Sequence, residues 1–344
     1  MSILIIGDPH IKRSNEIQTT ILQNDIMKTI QNENIIFVVI LGDILHDHGK
    51  ADMECYNKAV DLFELISSTG KPLFVLIGNH DRSDNKVYMT NRHFFRGFNG
   101  NSGIKIVDKC FIYEMSVRKL GINSDNIMKF CFVPYVPDGM YFQALQDCNI
   151  DPTEMTMFFS HSEINGEFAT CGFSKHKCDV WPSNYPLNVV GHIHNKRILQ
   201  DNLIYVGTPY QHDYNDSQDK GIYLLNLIDN SYSITQIKTS IPPKIIIPIH
   251  YTQLDQLQLD KNYDVRLEIY GPTTHVEEIM RRPDMIKKFG HVSKKYKDDS
   301  TKSKAKLDQI QSVNNLQFYQ KLLLETKSDP RMNFIHQTLF TKSI

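Results

Sequence analysis

Ile35-Ile-Phe-Val-Val-Ile-Leu-Gly42-Asp43 decides how this chain folds. Its apolar run is too short for a buried helix and is dominated by Ile, Val and Phe. It therefore reads as a strand covered on both faces, which is the state of strands in a parallel sheet. The run stops at a carboxylate. Four other short runs stop in the same manner. Ile3-Leu-Ile-Ile-Gly7 ends at Asp8-Pro9-His10, and Leu73-Phe-Val-Leu-Ile-Gly78 ends at Asn79-His80-Asp81. Met155-Thr-Met-Phe-Phe-Ser160 ends at His161, and Leu187-Asn-Val-Val-Gly191 ends at His192-Ile193-His194. Open α/β sheets place their sites at the carboxyl ends of such strands.

Taken singly, each ending is weak. Gly-Asp after a strand is commonly a turn, and Asp-x-His at a loop start is commonly a cap. His-x-His is more specific, because side chains alternate along a strand and both imidazoles then share a face. Five endings in order, each offering N or O ligands, point together to a metal site.

The segments between the runs supply the crossovers. Glu16 to Asn32 and Met53 to Ser68 carry apolar residues at helical spacing, the second followed by Gly70 and Pro72 as stop signals. Strand, helix, strand, helix, strand builds a parallel sheet. Residues 84–102 read as a long loop or short helix with Phe94, Phe95 and Phe98 in the core. Ile104–Val107, Phe111–Tyr113 and Lys129–Val133 read as strands of a second sheet. Phe142 to Cys148 reads as a short helix, and residues 165–186 as an irregular connection. Leu203–Val206, Gly221–Leu227 and Tyr232–Ile237 alternate like antiparallel strands. The expectation is an α/β four-layer sandwich, two sheets with helices outside.

Ile241-Pro242-Pro243 marks a boundary, since two prolines cannot continue a ladder. The expected domains are 1–241, a small α/β cap over 242–300, and a helical tail over 301–344. In the cap, Lys244–Ile249, Asp264–Tyr270 and His291–Tyr296 read as strands, and Thr273 to Lys288 as one helix capped by Thr274. A basic stretch from Arg281 to Lys306 reads as a solvated linker or as a grip on phosphates. The tail, from Leu307 to Phe340, carries amphipathic helices suited to a partner's groove.

Composition narrows the classes. With 344 residues, a net charge of −1 and a pI near 6.9, the chain is no polycation, so nucleic-acid binding requires a local patch. Six scattered cysteines (Cys55, Cys110, Cys131, Cys148, Cys171, Cys178) fit reduced thiols. Cys171 and Cys178 fall near the expected site and read as loop packing. No secretory leader or membrane span is legible, so an intracellular protein is expected.

Asp8-x-His10, Gly42-Asp43, Gly78-Asn79-His80-Asp81, His161 and Gly191-His192-x-His194 together resemble the signature of the calcineurin-like metallophosphoesterases. Gly42-Asp43-Ile44-Leu45-His46 and Gly207-Thr208-Pro209-Tyr210, with the small domain behind residue 242, resemble the SbcD-type nucleases more narrowly. The resemblance implies a DNA phosphodiester hydrolase acting on ends with an SbcC-type SMC-like ATPase, as a homodimer. The tail would dock on that ATPase. The alternative on the same core is a phosphatase or cyclic-nucleotide phosphodiesterase.

A phosphodiester is shielded by its charge. Two cations roughly 3.5–4 Å apart neutralise that charge, activate water and stabilise the leaving oxygen. Asp43 is the natural bridge between them. By resemblance, Asp8, His10, Asp43 and His194 hold one ion, and Asp43, Asn79, His161 and His192 the other. An imidazole-rich set suits Mn2+, Fe2+ or Zn2+ over a plain Mg2+ site, with Mn2+ favoured. His80 would stabilise the transition state and protonate the leaving oxygen. Asp81 would orient His80, and His46 would help orient the DNA phosphate. The loop Asp47-His48-Gly49-Lys50-Ala51 departs from the basic, proline-containing stretch of the family. His48, Glu163 and His212 receive no role.

Overall fold

The computed structural model describes residues 1–98, 100, 103–120, 126–165, 178–228, 231–260, 262–290 and 292–297. In chain order these form β1 (Ser2–Ile6), α1 (Glu16–Asn32), β2 (Ile35–Ile40), α2 (Met53–Ser67), β3 (Leu73–Leu76), β4 (Ile104–Val107), β5 (Phe111–Ser116) and β6 (Ile127–Val133). Then come α3 (Tyr141–Asp147), β7 (Met157–Ser160), the short pair β8 (Ile164–Asn165) and β9 (Asp179–Val180), β10 (Leu187–Val190), β11 (Arg197–Gln200) and β12 (Leu203–Tyr205). The last elements are β13 (Ile222–Ile228), β14 (Ser231–Ile237), β15 (Lys244–His250), β16 (Asp264–Tyr270), α4 (Thr273–Met280), α5 (Pro283–Phe289) and β17 (Ser293–Lys297).

Two compact units result, Met1–Lys244 and Ile245–Ile344. The first holds two six-stranded sheets, ordered β14-β13-β1-β2-β3-β4 and β11-β12-β10-β7-β6-β5. β1, β2, β3 and β4 run parallel, as do β6, β7, β10 and β12. The alternation within β1 and β2 explains their continuous apolar runs. Ile3, Ile5, Phe37 and Val39 face the other sheet, where they meet Phe130, Phe132 and Phe159. Leu4, Ile6, Val38 and Ile40 face the helices, where they meet Leu22, Ile26, Leu62 and Phe63. Each such strand buries both faces, at roughly 1.5–3 kcal/mol per large apolar side chain. The far face of the second sheet is covered by α3 and the chain around Trp181. The arrangement is the four-layer α/β sandwich.

Several expectations need correction. β4 joins the first sheet beside β3, not the second. Its short alternation fits either sheet, and the helical turn Phe94–Phe98 returns the chain next to β3. Phe95 and Phe98 are core residues, as read. β12 pairs parallel with β10, whereas β13 and β14 cross back to the first sheet. β11 is a further edge strand, half exposed, whose residues carry no apolar run to mark it. In the second unit, the single helix expected over 273–288 is two helices. Pro283 opens the second, as a proline's ring cannot sit inside a helix. Pro272, not Thr274, caps α4.

The second unit has its own core, with Leu254, Leu267, Ile269, Val276, Met285 and Phe289 buried between a three-stranded sheet and α4 and α5. The helical tail over 301–344, Cys171 and the end of the basic stretch beyond Lys297 lie outside the described residues. Among the described residues no helix is long and apolar enough to cross a membrane.

Candidate metal centre

Each ligand-type residue sits where a strand stops and the backbone turns sharply. His10, Asp43 and His192 have φ of 45°, 47° and 74°. For a residue with a side chain, this left-handed conformation is uncommon, and it clusters at functional sites. The adjoining glycines allow close approach. A Cβ on Gly78 would stand 2.2 Å from Asp43 Oδ1, and one on Gly191 would stand 2.5 Å from Asp8 Oδ1.

The side chains so placed converge into two groups. Asp8, His10 and His194 form one, and Asp43, His161 and His192 the other, with ligand atoms in each within 4.8 Å of one another. His10 Nε2 lies 3.0 Å from His194 Nε2 and 3.5 Å from Asp43 Oδ2. His161 Nε2 lies 3.4 Å from Asp43 Oδ1 and 3.1 Å from Asn79 Oδ1. Asn79 Oδ1 is in turn 3.0 Å from His192 Nδ1. Asp43 therefore offers one carboxylate oxygen to each group. Neighbouring ligand atoms around one ion with bonds of ~2.0–2.2 Å lie about 3.0–3.5 Å apart, so these spacings fit two coordination spheres sharing a carboxylate.

The orphaned atoms agree. Asp8 Oδ1 is buried with no hydrogen-bond partner among the described residues, while its Oδ2 accepts from His192 N at 2.8 Å. His161 Nδ1 must donate to Leu41 O at 2.7 Å, because a carbonyl only accepts. That leaves its Nε2 lone pair for the site. Asn79 Nδ2 donates to Asn85 Oδ1 at 3.4 Å, which turns its Oδ1 inward.

The electrostatics are those of a buried acid and imidazole cluster. Burial pushes the Asp8 carboxyl up to about 8, helped by the charge of Asp43. Burial acts on Asp43 too, but His161, His10 and His80 outweigh it and hold Asp43 well below the usual range. Burial opposes the charge on His161, yet Asp43 and Asp8 raise it to about 9. Burial pushes His192 and His212 down to about 3, and it lowers His10 and His194 as well.

His80 stands at the rim. Its Nε2 is 3.9 Å from Asp43 Oδ2, and its backbone N donates to Asp43 Oδ1 at 2.9 Å. Its Nδ1 donates to the His46 carbonyl, so Nε2 is the nitrogen turned to the site. Asp81 does not orient it. The Asp81 carboxylate is fully buried and accepts from Gly78 N at 2.9 Å, Ile44 N at 3.0 Å and Leu45 N at 3.1 Å. It holds two ligand loops in register. The His46 carbonyl, with the His48 ring 3.8 Å away, fixes His80 instead. The His46 ring lies 5.4 Å from that of His10 and 5.9 Å from that of His80. Burial lowers the pKa of both His46 and His80.

His48 and His212, which receive no role from the sequence, both contact the centre. His48 Nδ1 donates to Asn79 O at 3.1 Å. His212 packs 5.2 Å from His10, ring to ring. Both act on backbone carbonyls, which leave no signature in residue type. Cys178 lies with Asp138 and Glu163 in a separate group, with ligand atoms within 4.8 Å of one another.

A family model described as calcineurin-like phosphoesterase matches residues 1–196. "Putative phosphoesterase 078R" of Invertebrate iridescent virus 3 is 31% identical over 245 residues, which span 70% of this chain and 67% of that protein. "Putative phosphoesterase 244L" of Invertebrate iridescent virus 6 is 29% identical over 277 residues, 78% of this chain and 92% of that protein.

Proposed function

The chain belongs to the calcineurin-like phosphoesterase family of metal-dependent hydrolases, and from that premise we propose that it hydrolyses DNA phosphodiesters at duplex ends. The observation carrying the chemistry is the split carboxylate of Asp43, with Oδ2 toward His10 and Oδ1 toward His161. When bound, two divalent ions supply charge neutralisation and an activated water. The mixed imidazole, carboxylate and amide donors suit Mn2+, with Fe2+ and Zn2+ as alternatives.

The remaining work falls to side chains. With Nδ1–H committed to the His46 carbonyl, His80 as the imidazolium gives its Nε2 proton to the departing oxygen and is left neutral. His46, half-buried beside it, orients the substrate phosphate. Support for a polymeric substrate comes from the second unit, where Lys287 and Lys295 are exposed. In this reading the 301–344 segment docks on an SMC-like ATPase, and the protein works as an intracellular homodimer.

One observation favours a small-substrate phosphatase or cyclic-nucleotide phosphodiesterase instead. Arg281 pairs with Glu277, Arg282 with Asp255 and Asp284, and Lys297 with Glu268. Three of the seven described cations of the basic stretch are thus paired with carboxylates, although exposed pairs of this kind are worth only about 0–1 kcal/mol and yield to phosphate.

The deciding assay supplies Mn2+, DNA ends and the cognate ATPase. Degradation is expected, with loss in Asp43→Ala and His80→Ala. Cleavage of p-nitrophenyl esters alone, with DNA untouched, would select the phosphatase reading. Removing residues 307–344 is expected to abolish ATPase association while sparing metal uptake. Retained association would refute the docking role.

A further inference from the structure

The two ligand groups are held by different pieces of chain. On the Asp43 and Asn79 side, the loops are tied by the Asp81 carboxylate, by Leu41 O to His161 and by His48 to Asn79 O. None of these contacts comes from the segment after β12.

That segment, Thr208 to His212, serves the other group. Tyr210 Oη donates to Pro9 O at 2.9 Å, and His212 Nε2 donates to Asp8 O at 3.3 Å. Thr208 N donates to His194 O at 3.0 Å, and Thr208 Oγ1 to Tyr210 O at 2.9 Å. Asn15 Nδ2 completes the grip by donating to His10 O at 2.9 Å. Three consecutive carbonyls, those of Asp8, Pro9 and His10, are therefore each held by a side chain, across the turn in which His10 is left-handed. The segment is itself anchored. Asp216 Oδ2 accepts from His212 N at 2.8 Å, and Gln211 bonds Lys244 at both N and O, at 2.7 and 3.2 Å.

We infer that Tyr210 and His212 are positioning residues that pre-set the Asp8, His10 and His194 metal position alone, so that its ion is loaded and lost independently of the ion at Asn79, His161 and His192. The inference rests on the two-metal reading above. Side chains contact carbonyls here, not ligand atoms, so the effect passes through the strained backbone. Outer partners of metal ligands typically set affinity by about 10–100-fold. The contacts that cross between the groups are the shared Asp43, His192 N to Asp8 Oδ2, the backbone bonds from His10 N to Asp43 O at 3.0 Å and from Ile11 N to Ile44 O at 2.8 Å, and His161 Nδ1 at 3.8 Å from Asp8 Oδ1, and none of these involves the segment.

The test is Mn2+ titration of the metal-stripped full chain by calorimetry, with EPR to separate isolated from spin-coupled ions. Tyr210→Phe and His212→Leu are expected to weaken one of two binding events by about 10-fold or more, with the other unchanged. At intermediate Mn2+ they should show isolated-ion spectra where the wild type shows coupled pairs. His212→Gln keeps a donor at the Nε2 position and should retain wild-type affinity. Equal weakening of both events, or of neither, overturns the inference, as does equal loss in the Gln and Leu variants. Should His212→Leu fail to fold, Tyr210→Phe decides, since it removes one hydroxyl. A wild-type chain that takes up no Mn2+ overturns the metal reading and the clamp with it.

Discussion

Asp81 shows how a motif can name a residue without naming its work. It follows His80 in sequence and reads as that histidine's partner. In the fold it is a buried acceptor for three backbone amides on two loops. Burial and the nearby charge of Asp43 lift it to about 7. Asp81→Asn replaces one acceptor oxygen with a donor facing amide donors. The expected loss of stability is about 1–3 kcal/mol, from a buried amide left without its acceptor. Denaturant melts of the metal-stripped protein check it, and a loss below about 0.5 kcal/mol, the range of ordinary surface changes, would show that the carboxylate is not what ties the loops. The ligands themselves were legible because carboxylate, imidazole and amide side chains at strand ends are unusual in composition. The residues that hold them act through main-chain atoms, and sequence carries no mark of that.

At the level of elements, the strand exits were legible because a parallel strand buried on both faces must be apolar throughout, so its end is sharp. Edge and antiparallel strands were harder. β4 and β12 are short, and three or four alternating residues fit several neighbours equally well. The break at Pro283 was written in the sequence, but helical spacing on either side hid it. The turn glycines make a prediction at this scale. Gly78→Ala places a methyl 2.2 Å from Asp43 Oδ1 and 2.3 Å from Asp43 N, both on a buried strand exit. The bridging carboxylate must move, so Mn2+ uptake measured by elemental analysis should fall while the far-UV spectrum is retained. Uptake of two ions by this variant would mean that the shared carboxylate tolerates displacement.

Over the whole molecule, the site controls how stability responds to pH. In the metal-stripped protein, Asp8 is raised from 3.8 to about 8, Asp81 from 3.8 to about 7, and His161 from 6.5 to about 9. A raised group favours the fold when protonated, and its contribution is lost as pH climbs through the folded value. His192 and His212 are lowered from 6.5 to about 3, so their contribution is lost as pH falls below 6.5. His10 and His194 shift in the same downward direction. Without metal, the melting temperature should therefore peak near pH 6.5 and fall on either side. Mn2+ displaces the protons of Asp8 and His161, so the alkaline fall should flatten when it is added. Melts in chelator and in Mn2+ across this range check both arms. An alkaline fall unchanged by Mn2+ would place the ion elsewhere.

The left-handed backbone at His10, Asp43 and His192 has a practical corollary for anyone who needs an inert control. Glycine is at ease in that region, whereas alanine keeps a Cβ that costs roughly 1–2 kcal/mol there. Replacing any of the three by glycine should give a silent protein that melts higher than its alanine counterpart, the reverse of the usual ranking of these substitutions.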